Sequence, residues 1–281
     1  MQIVTVSVTI VDMERGIVEA VRAPEAADWA LAHGIDALTS GDVARLLDVP
    51  ETQVRQRLNP AVRRGQWVMP TRGLWFAVPP EFRTWGAPPG IEIINTMMRH
   101  VGARYYVGWL SAAAIHGAAH QAPQVFQIAV DRLVRDRIVG RTRFSFAQRS
   151  DIASVPTVSH ATRSGTALVS SVAATMLDVA SDIDRAGGLD NAATVICELG
   201  ELDAFTMSDL IALAPSFPAS AIRRAGWMLA TFTDHDGLDD LQSFAHNATP
   251  TPSRLDPAGI AAGTVDHDWM LYLNRDVEPD L

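Results

Sequence analysis

Thr52, Gln53, Arg55, Gln56 and Arg57 stand within six residues of one another, and Arg63, Arg64 and Arg72 follow. Guanidinium groups pair with phosphate oxygens, and Arg, Gln and Thr side chains also reach base edges in a groove. The chemistry open to this set is therefore recognition of a nucleic acid rather than bond breaking. A solvated charged helix is the simpler account of such a stretch. Against it, the charge is one-signed: Arg45, Arg55, Arg57, Arg63, Arg64 and Arg72 face only Asp42, Asp48 and Glu51 between residues 39 and 78.

The elements that must carry these residues can be read locally. Thr39 and Asp42 have the spacing of a capping box, and Val43, Leu46 and Leu47 then repeat on one helical face. Asp48-Val49-Pro50 breaks that helix, and Pro50 suits the first position of the next. In the second helix Val54 and Leu58 point inward, which leaves Thr52, Gln53, Arg55, Gln56 and Arg57 outside. Asn59-Pro60 disfavours helical geometry at residue 59, so this helix is expected to kink or stop near Leu58. Gln66–Met69 and Leu74–Val78 are apolar runs joined by the turn signal Pro70-Thr71-Arg72-Gly73. Pro24 opens a further short helix through Trp29 to His33, closed by Gly34. Three helices and a hairpin predict a winged helix-turn-helix over residues 25–89, with its second helix in a major groove and Arg72 on the wing. Arg55 and Gln56 are then expected at base edges, and Arg63, Arg64 and Arg72 at phosphates.

Composition narrows the function further. All 23 basic residues of the 281 are Arg and none is Lys, which excludes a Walker-A loop, a Schiff-base lysine and a kinase-like phosphate-pairing lysine. A GC-rich genome accounts for the absence without any selection for function. The one cysteine, Cys197, lies in an apolar run and reads as a buried thiol, with no internal disulfide possible. No stretch has the length of a membrane span, and no basic region precedes the first apolar residues, so a reducing cytoplasm is the expected location. Charge is regional. Residues 39–149 carry fifteen Arg and seven acids, whereas residues 150–281 carry six Arg and nineteen acids. An overall charge of −9 therefore does not argue against a nucleic-acid partner.

Around this module the chain predicts an α+β protein, an N-terminal winged helix-turn-helix followed by a larger mixed α/β domain. Residues 2–11 alternate with period two, so 1–24 reads as a strand extension. Pro79-Pro80 and the run Gly86-Ala87-Pro88-Pro89-Gly90 place a boundary near residue 89. Within 90–281, helices are expected at 91–101, 109–119, 170–180, 191–199 and 221–231, with another capped by Thr206 and Asp209. Strands are expected at 124–130 and 144–146. After Asp234 the chain is acidic and weakly periodic, with Trp269–Leu273 as its apolar cluster.

Candidate metal and catalytic sets are weak. His116 and His120 are four apart, yet Gly-Ala-Ala between them supplies no base, and core histidines are the simpler account. Asp234-His235-Asp236 and Asp266-His267-Asp268 fall in loop-rich acidic sequence. Asp131, Asp178, Asp182 and Asp184 are the carboxylates a magnesium-dependent nuclease would need, although Asp182 and Asp184 read as an exposed helix end. No catalytic residue, metal site or cofactor is expected. The run Arg132, Arg135, Arg137, Arg141, Arg143 and Arg149 has two open accounts: an extension of the phosphate-contacting surface, or a loop of scattered salt bridges.

Tyr105-Tyr106-Val107-Gly108-Trp109-Leu110-Ser111-Ala112, then Ile115-His116-Gly117, Thr175-Met176-Leu177-Asp178 and Arg223–Leu229 together resemble the AbiEi-type antitoxins, over residues 25 to 232. Ala173 and Ala174 depart from the Glu often found before the Thr-Leu-Leu-Asp-like end. The resemblance implies an antitoxin that represses its own promoter by binding repeats there and that counteracts a co-encoded nucleotidyltransferase toxin. One winged helix covers a short stretch of groove, so a dimer or paired monomers are expected on the DNA, and the second domain, 90–281, with the acidic balance of residues 150–281, is the expected surface for direct toxin contact. Two alternatives stay open: a nucleic-acid-modifying enzyme docked by its winged domain, and a transcription regulator sensing a small ligand.

Overall fold

The computed structural model describes residues 20–118 and 124–281. The period-two segment 2–11 and His120 lie outside the described residues. The described chain is α+β and divides into two compact units. The first runs through Ala103 and includes Arg137–Phe144 and Thr162–Thr166, and the second holds the remainder to Leu281. This grouping carries the first unit past the boundary expected at residue 89.

In the first unit, α1 (Ala26–Ala32), α2 (Ser40–Leu47) and α3 (Glu51–Arg63) share a core with a three-stranded sheet. The sheet has the order β1 (Ala37–Thr39), β3 (Leu74–Ala77), β2 (Trp67–Thr71), all antiparallel. The capping box forms as its spacing predicts. Asp42 N–H donates to Thr39 Oγ1 at 3.2 Å, and Thr39 N–H donates to Asp42 Oδ2 at 2.9 Å. Asp48 ends α2 in the left-handed region at φ +51°, a conformation that Asp tolerates better than most residues. Pro50 is the cap before α3 rather than its first residue. The helix does not stop near Leu58: α3 continues through Pro60 to Arg63. An interior proline loses its own amide bond and crowds the carbonyl four residues back, a cost offset here by Leu58 and Ala61, buried on either side of it against the core. Helix α4 (Gly90–Val101) completes this unit, with Ile93, Ile94, Met97 and Met98 buried.

The second unit centres on a buried helix, α6 (Val172–Ser181). Every residue from Val172 to Ala180 is buried, the pattern of a helix enclosed on all sides. Around it pack α5 (Trp109–His116), α7 (Leu189–Gly200), α8 (Met207–Leu213) and α9 (Ala219–Phe232). Strand β4 (Tyr105–Val107) pairs antiparallel with β5 (Val125–Val130) and parallel with β9 (Gly165–Ser170). With β6 (Arg137–Val139), β7 (Thr142–Gln148) and β8 (Thr157–Thr162) they form a six-stranded sheet ordered β6-β7-β5-β4-β9-β8. Sequence periodicity predicts β5 and the middle of β7. Strand β8 escapes it because its residues are all exposed or half-buried, with no apolar alternation to read.

The acidic C-terminal stretch, weakly periodic in sequence, is built. It forms α10 (Asp239–Ala248), then β10 (Ser253–Arg254), β11 (Thr264–Asp266) and β12 (Leu271–Leu273), ordered β10-β12-β11. Two arginines of α9 organise it. Arg223, fully buried, donates to the carbonyls of Ala245 (3.0 Å), Thr249 (2.7 Å) and Thr251 (2.7 Å). Arg224 donates to the carbonyls of Arg254 (3.1 Å), Leu255 (3.0 Å) and Ala180 (3.0 Å). Carbonyls in the last turns of α6 and α10, in β10 and in the adjoining loops are thereby satisfied. One turn along α9, Gly226 gives its space to the Trp269 ring, which a Cβ at that position would overlap. Gly226→Ala should lower unfolding stability by about 1–3 kcal/mol through overpacking. Gly41→Ala in α2, whose added carbon meets only ordinary contacts, should cost nothing. Urea unfolding midpoints of the two variants check the contrast, and equal midpoints would contradict the packing account.

Candidate functional site

In the first unit the eight residues singled out from the sequence, Thr52, Gln53, Arg55, Gln56, Arg57, Arg63, Arg64 and Arg72, are all exposed. The first six lie on α3, Arg64 is its C-cap, and Arg72 lies between β2 and β3. Val54, Leu58 and Ala61 form the buried stripe of α3. At 3.6 residues per turn, Thr52, Gln56, Asn59 and Arg63 fall opposite that stripe. Arg55 and Arg57, two residues apart, flank it on opposite sides. Asn59, which is not among those eight residues, is also exposed on the outward face. Among the described residues no ion pair or hydrogen bond engages the side chains of Arg55, Arg57, Arg63 or Arg72, whereas Arg64 Nε donates to Gln66 Oε1 at 3.0 Å.

The turn that presents Arg72 is held from several directions. Gly73 takes φ +80°, which glycine adopts without strain, and its carbonyl accepts from Ser40 N–H at 2.9 Å. His100 Nε2 lies 3.1 Å from Arg72 O, and Arg137 Nη1 donates to Pro70 O at 3.1 Å.

In the second unit the chemistry gathers where sequence spacing gives no signal. Asp178 on α6 has no exposed surface. Its Oδ1 accepts from Tyr106 Oη at 3.2 Å and from Arg149 Nη1 at 3.0 Å. Arg149 also reaches Tyr106 Oη (3.3 Å), Asp151 (3.2 Å) and Ser216 O (3.0 Å), and lies 4.2 Å over the Phe217 ring. Burial pushes the Asp178 carboxyl up to about 7, opposed by Arg149 and by the Tyr106 hydrogen bond. Burial, and then the Asp178 charge, also raise the Tyr106 phenol above its ordinary value. Above this group opens a cleft of about 490 Å³, lined by Trp109, Arg149, Asp151, Asp178, Ser216 and Phe217 among others.

The remaining candidates resolve one by one. His116 Nε2 lies 2.7 Å from Ser170 O, the contact of a satisfied core histidine. Asp131 pairs with Arg132 at 3.0 Å, and Asp182 with Arg185 at 3.1 Å, so neither joins Asp178 in a cluster. Among the described residues no group of three or more His, Cys, Asp or Glu is placed to hold a metal ion. Cys197 is buried, and burial, then Glu201 and Glu198, push its thiol up to about 11. The arginine run divides: Arg132 is paired, Arg137 serves Pro70, and Arg149 is turned into the interior. No signal at residues 106 and 149 marks them as partners of Asp178, because the contacts span 72 and 29 residues.

The raised carboxyl has a measurable consequence. Ionising Asp178 is harder in the folded chain than in the unfolded one. Its contribution to stability is therefore full below about pH 3.8 and is lost as pH rises to about 7. The loss amounts to at most about 4 kcal/mol. Asp178→Asn should remove this component. The difference in urea-unfolding free energy between wild type and variant should change from pH 4.5 to about 7 and level off above it, and a pH-independent difference would refute the assignment.

Comparison with known proteins agrees with the second unit's architecture. Residues 106–231 match the family model of the AbiEi antitoxin C-terminal domain. Among solved structures, the crystal structure of the RV2827C protein from Mycobacterium tuberculosis is similar in fold, with a TM-score of 0.64 at 16% identity over 90% of this chain and 92% of that one. No curated protein matches the sequence. No helix among the described residues is long and apolar enough to cross a membrane.

Proposed function

We propose, from the match of residues 106–231 to the AbiEi antitoxin C-terminal domain model, that this chain is a DNA-binding antitoxin that represses its own promoter and counteracts a co-encoded nucleotidyltransferase toxin. The observation that carries the DNA-binding half is the outward face of α3. Its unengaged arginines stand beside a hairpin whose tip bears Arg72. Two helices and a hairpin in this arrangement read as a winged helix-turn-helix. Gln56 and Asn59, opposite the buried stripe, take the base edges together with Arg55. Arg57, Arg63, Arg64 and Arg72 take phosphates on either side.

The toxin-facing half is assigned by charge. Residues 150–281 carry nineteen acids and six Arg, which disfavours DNA and suits a partner with a basic, nucleic-acid-handling surface. A single recognition helix covers a short stretch of groove, so paired copies on repeated half-sites supply specificity.

Gel shift on the gene's own upstream DNA tests the reading. Gln56→Ala should cost about 1–3 kcal/mol at one base position, and Arg72→Ala should weaken all sequences alike while lowering the salt slope by about 1. Unchanged affinity and salt dependence in both variants would remove α3 and the hairpin from the DNA surface. For the second half, reversing the exposed acids Asp234, Asp236, Asp239 and Asp240 to Arg in the full chain should abolish growth rescue in toxin-expressing cells while leaving the gel shift intact. Full rescue by those variants would place the toxin contact elsewhere.

A further inference from the structure

The turn between β2 and β3 is held at three of its carbonyls, while the side chain that it presents is held at none. Gly73 O accepts from Ser40 N–H at 2.9 Å, Pro70 O accepts from Arg137 Nη1 at 3.1 Å, and Arg72 O lies 3.1 Å from His100 Nε2. These donors come from α2, β6 and α4, all within the first unit. A carbonyl oxygen can only accept, so the contact with Arg72 requires the imidazole to carry a proton on Nε2. The ring also lies against Gly73, where an added Cβ would stand 3.7 Å from Nε2. A turn at the surface could leave such carbonyls to water. Here the main chain is anchored instead, and the exposed Arg72 guanidinium has no partner among the described residues.

This division has a consequence for binding. Fixing a long side chain on a phosphate costs conformational entropy, and a backbone that must be ordered at the same time adds to that cost. A turn anchored beforehand incurs only the first part. His100 makes the anchor firm, because α4 is itself fixed in the core through Ile93, Ile94, Met97 and Met98. His100 is exposed, so its loss opens no cavity in that core. We propose that His100 is a positioning residue for DNA binding, which holds the Arg72 carbonyl and so fixes where the Arg72 guanidinium meets a phosphate. The proposal rests on the reading of α3 and the hairpin as the DNA surface, and it extends that surface's support to α4.

A double-mutant cycle with gel shift on the gene's own upstream DNA tests it. His100→Ala in the full chain should weaken binding about threefold to tenfold, the effect of one hydrogen bond. In the Arg72→Ala background the same change should have no further effect, since the group that His100 positions is already gone. His100→Gln, whose amide can place an N–H near the position of Nε2, should restore binding, and the shorter His100→Asn should not. A residue that merely supports the fold would weaken both backgrounds alike, and that result overturns the proposal. So does undiminished binding by His100→Ala, or equal binding by the Gln and Asn variants. Arg72→Ala alone reports on the underlying reading: if it binds as wild type does, the hairpin leaves the DNA surface and the proposal falls with it. If Arg72→Ala weakens binding and His100→Ala does not, only the positioning role fails. Where circular dichroism shows the alanine variant unfolded, the Gln–Asn comparison decides.

Discussion

Burying the carboxylate of Asp178 is the constraint on which the second unit turns. A charge removed from water is tolerated only when a cation and further hydrogen bonds meet it, and here those groups come from far apart in sequence. Tyr106 comes from β4, Arg149 from beyond β7, and the same guanidinium reaches the carbonyl of Ser216 in the turn after α8. Satisfying one carboxyl oxygen therefore brings together a central strand, a sheet edge, the core helix and a helix-helix turn. Such a group adds little net stability compared with apolar packing, but it penalises every arrangement in which one partner is missing.

The same economy of cations appears in α9. Arg223 and Arg224 hold six backbone carbonyls between them. A planar guanidinium has five donors in a fixed fork and can bridge several acceptors at once, which a lysine ammonium on a flexible stem does less well. A chain with arginine as its sole long-chain cation can thus order a C-terminal stretch of low hydrophobicity by donating to its backbone. Burial lowers the Arg224 pKa to about 10, still far enough above neutrality for the side chain to remain charged and donating.

What could be read from the sequence divides along the range of the interactions involved. The capping box of α2, the inward pair Val54 and Leu58, and the β2–β3 turn depend on residues a few positions apart, and all were legible. Pro60 misled because its local preference was outweighed by the burial of Leu58 and Ala61, a tertiary effect. Strand β8 has no apolar face, and β4 and β9 are paired across some sixty residues (Val107 with Val169), so neither periodicity nor proximity announced the sheet. Asp178 could be seen as part of a Thr-Met-Leu-Asp tract but not as a buried ion, because nothing in its neighbours reveals where Arg149 goes.

Arg149 also shows why regional charge is only a first guide to a nucleic-acid surface. The excess of eight positive charges over residues 39–149 counts every arginine equally, yet the structure separates them into two populations. Arg83 pairs with Asp28, Arg132 with Asp131 and Arg149 with Asp178, and a guanidinium already matched to a carboxylate has little left for a phosphate. Arg55, Arg57, Arg63 and Arg72 are exposed and unengaged, so they retain their full attraction for an anionic partner. Arg99, Arg141 and Arg143 of the first unit are exposed too, so the basic footprint extends beyond α3 and the hairpin turn. Arg55 and Arg57 lie on opposite flanks of α3, with Gln56 and Asn59 between them opposite the buried stripe.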